Sequence, residues 1–176
     1  MGRPKLLLPF RDGTILGSLI QALREGGISE IVLVIAPGDE ALRTWGAEAG
    51  VRVAVNPEPE RGMLSTILEG IAVAGDRETL VVCPADLPAL LPSTVRTVLA
   101  EQAPLAVPSY RGRRGHPLVI SPELIPEIGT LHLDVGLREL LERHPERLRI
   151  VEVDDPGCVR DVDTPEEYQA LVEDAT

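Results

Sequence analysis

The sequence predicts an α/β fold, with a mostly parallel sheet and helices on both of its faces. Three observations carry this. Strand-like and helix-like patterns alternate at βα spacing from residue 30 to the end of the 176-residue chain. The strand candidates are short, continuous β-branched runs rather than apolar–polar alternations, as strands covered on both faces require. Aromatic residues make up only 2%, so the core has to be built from Leu, Val, Ile and Ala. A chain of this length suits a single domain spanning 1–176.

The elements follow in order. "ILGSLIQALRE" (15–25) puts Ile15, Leu16, Leu19, Ile20 and Leu23 at helical spacing, and Gly26 and Gly27 stop it. "EIVLVIA" (30–36) reads as a buried strand, and "GDEALRTWGAEAG" as a helix ending at Gly50. "VRVAVN", "MLSTILEGIAVAG", "TLVVCPA" and "PSTVRTVLAEQ" repeat the alternation, the last with Pro92 ahead of a cap at Ser93. "PLAVPSY" and "HPLVIS" are two shorter strands flanking "RGRRG". "DVGLRELLERH" is a helix and "RLRIVEV" a strand. In the final helix, "TPEEYQALVED", Thr164 is the cap, Pro165 the first helical residue and Glu167 the partner of a capping box. The opening "MGRPKLLLPF" is the anomaly, a loop leading into a helix with no strand before it.

Composition excludes several function classes. The formal net charge is -11, and the local cluster Arg111, Arg113 and Arg114 has no basic face or interleaved aromatics around it, which argues against nucleic-acid binding. No stretch approaches the roughly 20 apolar residues that span a bilayer, and no signal-peptide pattern opens the chain, so it reads as cytoplasmic. Cys83 and Cys158 have neither disulfide nor zinc spacing and read as structural thiols, and His132 and His144 as structural histidines. There is no G-x-S-x-G, G-x-x-x-x-G-K-[ST] or G-x-G-x-x-G motif, against a hydrolase, a P-loop NTPase and a dinucleotide-binding dehydrogenase.

Ligands of such sheets collect at the carboxyl ends of the strands, here just after residues 36, 56, 84 and 153. At one of these ends, "VVCPADLPAL" holds a lone carboxylate, Asp86, between two prolines. It is either a turn residue or a ligand for a divalent cation, which prefers hard oxygens from one or two carboxylates plus substrate phosphates. In "CVRDVDTPEEY", Asp161 and Asp163 alternate about Val162 and fall on one side of an extended segment. Either one of the two joins Asp86 at a metal, or Asp163 merely helps cap the helix begun by Thr164. "NPEPERGMLST" brings Asn56, Gly62, Ser65 and Thr66 to a helix start, fit for an anionic or hydrogen-bonding ligand or simply for capping. "YRGRRGHP" is a glycine-flanked basic loop with His116, suited to a phosphate or to solvent. Finally, sixteen of the 17 basic residues are arginine and the single lysine is Lys5, which hints at a need there for a compact point charge.

In order and spacing, "MGRPKLLLPF", "NPEPERGMLST", "PADLP", "GRRGHP", "DVGLRELL" and "DVDTPEEY" together resemble the MobA-like nucleotidyltransferase family, closest to its molybdenum cofactor cytidylyltransferase branch. The resemblance implies a Rossmann-like three-layer α/β/α fold. It also implies transfer of CMP from CTP, rather than GMP from GTP, to the phosphate of a molybdopterin-type acceptor, with Mg²⁺ as cofactor and pyrophosphate released. A recipient molybdoenzyme is a further implied partner. By position it makes Lys5 a catalytic, triphosphate-contacting residue, and Asp86 and Asp163 the metal carboxylates. Asn56, Gly62 and Ser65 would border the nucleotide, while Arg114, Gly115, His116 and Asp134 would lie on the acceptor side.

The chain departs from that family at its start. Members begin with a central strand and a glycine-rich "LAAG-x-S-x-R" or "LAGG-x-S-x-R" loop ahead of the "MG-x-x-K" found here at residue 1. Losing such a strand leaves backbone groups unpaired at roughly 1 to 3 kcal/mol each. Met1 is therefore expected to be an internal methionine of a longer natural product, and the domain to be N-terminally truncated and to lack its first strand. Two alternatives follow: a related transferase using GTP or another phosphorylated acceptor, and a catalytically silent cofactor-binding module.

Overall fold

A computed structural model of the chain describes residues 4–75 and 79–174. Met1, expected above to be internal to a longer signature, lies outside the described residues with Gly2 and Arg3. A 3-10 turn at Lys5–Leu7 enters a small antiparallel hairpin, β1 (Pro9–Phe10) and β2 (Gly13–Thr14). The opening is thus more ordered than a loop. Helix α1 (Ile15–Glu25) begins at once, because Thr14 Oγ1 accepts the Gly17 N–H at 3.0 Å as an N-cap. Its apolar stripe is the predicted one, with Ile15, Leu16, Leu19, Ile20 and Leu23 all buried.

The alternation then proceeds as β3 (Val32–Ile35), α2 (Glu40–Glu48), β4 (Arg52–Val55), α3 (Met63–Ala74), β5 (Leu80–Val82) and α4 (Pro92–Ala100). After β6 (Leu105–Tyr110) come β7 (Arg113–Arg114), β8 (Leu118–Ile120), a short α5 (Ile125–Ile128), α6 (Leu137–Arg143), β9 (Leu148–Glu152) and α7 (Pro165–Asp174). One boundary differs from expectation. The N-cap of α4 is Leu91 rather than Ser93, and Pro92 takes the first helical position. A proline ring needs no N–H partner there and its fixed φ is already helical, which moves the cap one residue upstream, to a side chain that can accept nothing.

The fold is α/β. Strands β5, β6 and β9 point the same way: β9 pairs parallel with β6, and β8 lies antiparallel between β5 and β6. β3 and β4 form a separate parallel pair. Pleating sorts the side chains into layers. Leu105 and Val107 of β6 join Leu118 and Ile120 of β8 in a cluster with Leu64 of α3, Ile128 of α5 and Leu140 of α6. Ala106 and Val119 turn to the other face, against Val98 of α4. In β3, Leu33 and Ile35 pack on Leu16 and Ile20 of α1, whereas Val34 faces Gly70 of α3, where an added Cβ would come within 3.1 Å of it. Helices α1 and α3 thus sandwich the middle layer, but no hydrogen bond joins β3 to β5 among the described residues.

Candidate functional site

Three residues from the start, middle and end of the chain meet. Lys5 Nζ donates to Asp86 Oδ2 at 2.8 Å and to Asp163 Oδ1 at 2.9 Å. Each is placed by a different element. Lys5 opens the 3-10 turn whose Leu6 packs with Phe10, Ile15, Val162 and Leu171. Asp86 ends the short link from β5, and its backbone carbonyl accepts the Val162 N–H at 3.1 Å, so the next residue of the C-terminal strip, Asp163, comes to lie beside it. Glu167 Oε2 accepts the N–H groups of Asp163 and Thr164, while Thr164 Oγ1 accepts that of Glu167, which is the predicted capping box. Tyr168 O–H donates to Pro9 O at 2.7 Å and ties α7 to the hairpin.

Each of the two carboxylates points at Lys5, and among the described residues neither side chain accepts from a helix-cap N–H. Burial pulls the Lys5 ammonium down, but the hydrogen bonds and charges of Asp86 and Asp163 outweigh it and its pKa ends above the ordinary value. Lys5 is a committed cation with two of its three donors engaged. Two carboxylate oxygens converging on one positive centre are also a hard-oxygen donor pair of the kind a divalent cation takes with substrate phosphates. Among the described residues no group of three or more His, Cys, Asp and Glu could hold a metal, so a cation there would take its remaining ligands from substrate or water.

His116 stands nearby. Burial holds its imidazole below the usual histidine range, partly opposed by the charges of Asp161 and Asp86, and its Nδ1 is buried without a hydrogen-bond partner among the described residues. Its backbone N–H donates to Cys158 O at 2.8 Å. Gly115 is there for space, because a Cβ would lie 2.2 Å from that same carbonyl oxygen. Arg114 is exposed and lines a groove of about 410 Å³ with Arg138, Leu141, Leu148 and Ile150, which none of Lys5, Asp86 and Asp163 borders.

The helix-start residues form a second cluster at the carboxyl end of β4. Asn56, 2% exposed, donates to Ser65 Oγ at 2.9 Å and Thr66 Oγ1 at 3.0 Å and accepts the Glu58 N–H, so its side chain organises the loop. Ser65 Oγ donates in turn to Gly62 O at 2.7 Å. Gly62, at φ 91°, adopts a backbone that favours glycine and starts α3 with no side-chain cap. A Cβ on it would lie 3.9 Å from the Leu133 carbonyl oxygen, one residue before exposed Asp134.

Both cysteines are free thiols, as the sequence suggests, with burial pushing Cys83 up to about 12 and Cys158 up to about 11. His132 and His144 are engaged by Glu139 and Glu127. Sequence reasoning passes over Tyr168 and Asp155. The Asp-Pro-Gly run at 155–157 is a turn signal, but its partner lies in another element.

Residues 1–148 match the MobA-like NTP transferase domain. A nicotine blue oxidoreductase of Paenarthrobacter nicotinovorans is 31% identical over 98% of this chain and 90% of its own length. The molybdenum cofactor cytidylyltransferase of Escherichia coli K12 is 24% identical over 96% and 86%. Among solved structures, Rv0371c of Mycobacterium tuberculosis H37Rv superposes with a TM-score of 0.83 at 32% identity, covering 98% of this chain and 90% of that one. Its manganese complex gives 0.79 at 31%, covering 98% and 93%. No helix among the described residues is long and apolar enough to cross a membrane.

Proposed function

The chain belongs to the MobA-like NTP transferase domain family, and from that premise we propose that it is a nucleotidyltransferase that transfers CMP from CTP to the phosphate of a molybdopterin-type acceptor. The observation that carries this reading is the meeting of Lys5, Asp86 and Asp163 at the carboxyl end of β5. An acceptor phosphate is already ionised at neutral pH, so no general base is required. One of its oxygens bonds to the α-phosphorus as the bond to the β-phosphate bridging oxygen breaks, and pyrophosphate leaves with the electron pair.

The work left to the protein is positioning and charge compensation. Asp86 and Asp163 would hold a divalent cation, Mg²⁺ in this reading, whose charge is what such a site offers a triphosphate. Lys5, whose third donor has no partner among the described residues, contacts the leaving phosphates. The loop that Asn56 and Ser65 organise presents the first turn of α3 to the nucleotide, a favourable place for negative charge. His116, Arg114 and Asp134 lie on the acceptor side, with Gly115 allowing His116 its approach to Cys158. The choice of CTP over GTP is supported by the relative named as a cytidylyltransferase.

The relative named as an oxidoreductase gives a second reading, in which the same domain works on a redox substrate. Pyrophosphate release separates the two. With Mg²⁺ and a molybdopterin-type acceptor, CTP should yield pyrophosphate in step with acceptor consumed, and GTP much less. GTP in place of CTP would point to the related transferase, and neither nucleotide to the redox or silent-module readings.

A further inference from the structure

Asp155 is 1% exposed and is the one carboxylate among the buried described residues. It is fully used. Oδ2 accepts the Leu91 N–H at 3.0 Å and the Thr94 hydroxyl at 2.6 Å, and Oδ1 accepts the Gly157 N–H at 2.8 Å. Leu91 caps α4 without a side-chain acceptor of its own, and a carboxylate 64 positions away accepts the N–H of that cap residue and places there the negative charge a helix N-terminus favours.

The other oxygen fixes the 3-10 turn Pro156–Val159, and that turn is wedged. On one side a Cβ on Gly157 would lie 2.2 Å from Ala89 O, in the loop that follows Asp86. On the other a Cβ on Gly115 would lie 2.2 Å from Cys158 O, the carbonyl that receives the His116 N–H. Leaving the turn, the chain reaches Val162, whose N–H meets Asp86 O, and then Asp163. Three strips of the site are therefore referred to one buried carboxylate: the Asp86 loop, the His116 loop and the Asp163 strip.

We infer that Asp155 is a positioning residue that sets Asp163 and His116 against Asp86 by pinning the 156–159 turn to the start of α4. Its bearing on metal and nucleotide rests on the reading of Asp86 and Asp163 given above. Side chains that orient metal carboxylates without touching the metal cost about 10- to 100-fold in affinity when changed. Asp155→Asn is the informative variant. However its amide turns, an N–H faces a backbone donor, either that of Gly157 or that of Leu91. Thr94→Val is the milder companion, removing one hydroxyl donor to the carboxylate, and Val98→Ala on the sheet side of α4 is the control for lost stability alone.

Two measurements decide it. Amide exchange in the full chain should quicken at His116 and Val162 by about tenfold in Asp155→Asn, less in Thr94→Val, and not selectively in Val98→Ala. Mn²⁺ affinity in the presence of CTP, read by paramagnetic resonance, should fall about 10- to 100-fold in Asp155→Asn and stay unchanged in Val98→Ala. Unchanged exchange at His116 and Val162 in both Asp155→Asn and Thr94→Val would overturn the inference. An Asp86→Asn variant that still binds Mn²⁺ sinks the metal reading instead, and the exchange measurement decides on Asp155 in either case.

Discussion

Lys5 and Asp86, 81 positions apart, are joined by a 2.8 Å ion pair that is only part-buried, and the same ammonium reaches Asp163. Exposed pairs of this kind contribute about 0 to 1 kcal/mol, so the contact is a weak reason for the fold and a strong hint of function. A point charge between two carboxylates can be drawn toward phosphates when another cation takes its place.

Replacing Lys5 by Met should therefore leave folding nearly intact while lowering turnover by about 10²- to 10³-fold, the cost of removing one charge that stabilises a transition state. Lys5→Arg should rescue poorly, because a planar guanidinium is not a compact ammonium. The raised Lys5 pKa contributes stability that is whole below its ordinary value of 10.5 and fades as pH rises through the folded value. Alkaline unfolding of parent and Lys5→Met should accordingly converge above that pH.

Gly115→Ala should be among the more damaging small changes in the chain. Its methyl would have to displace the Cys158 carbonyl, which is backbone and already receives the His116 N–H. Overpacking of this kind costs about 1 to 3 kcal/mol, visible as a lowered thermal midpoint. Gly112→Ala, with open space around it but a φ of 78°, should cost less, about 1 kcal/mol of backbone strain.

Acid stability should depend on Glu139. The His132 backbone N–H foremost, then Arg143 and the His132 ring, hold its carboxyl down to about 2 from an ordinary 4.5. A lowered folded pKa stabilises above 4.5, and that contribution is lost as pH falls from there toward 2. Glu139→Gln should show a shallower loss of stability over this window, measured by denaturant unfolding at stepped pH.

Much of this was legible in the sequence for identifiable reasons. Periodicity located α1 to its last residue, because Thr14 and Gly26 bracket an unbroken apolar stripe. Lys5 stood out as the lone lysine, and Asp86 as a carboxylate braced by prolines after a strand. Antiparallel β8 between β5 and β6 was not legible, since a three-residue apolar run has no direction. Nor was the start of α4, where local rules favoured Ser93 as the cap while the cap is Leu91, whose own N–H is received by Asp155, far along the chain. Asn56 was singled out as a nucleotide neighbour, while its side chain is spent on Glu58, Ser65 and Thr66, a closure that spacing alone does not reveal.

The most direct test of the Asp86–Asp163 pair is calorimetry of CTP with Mg²⁺ on the parent chain and on Asp86→Ala. Binding in the parent should require the metal, and the variant should lose the metal-dependent component. Unchanged CTP affinity in Asp86→Ala with Mg²⁺ present would contradict the role assigned to that carboxylate.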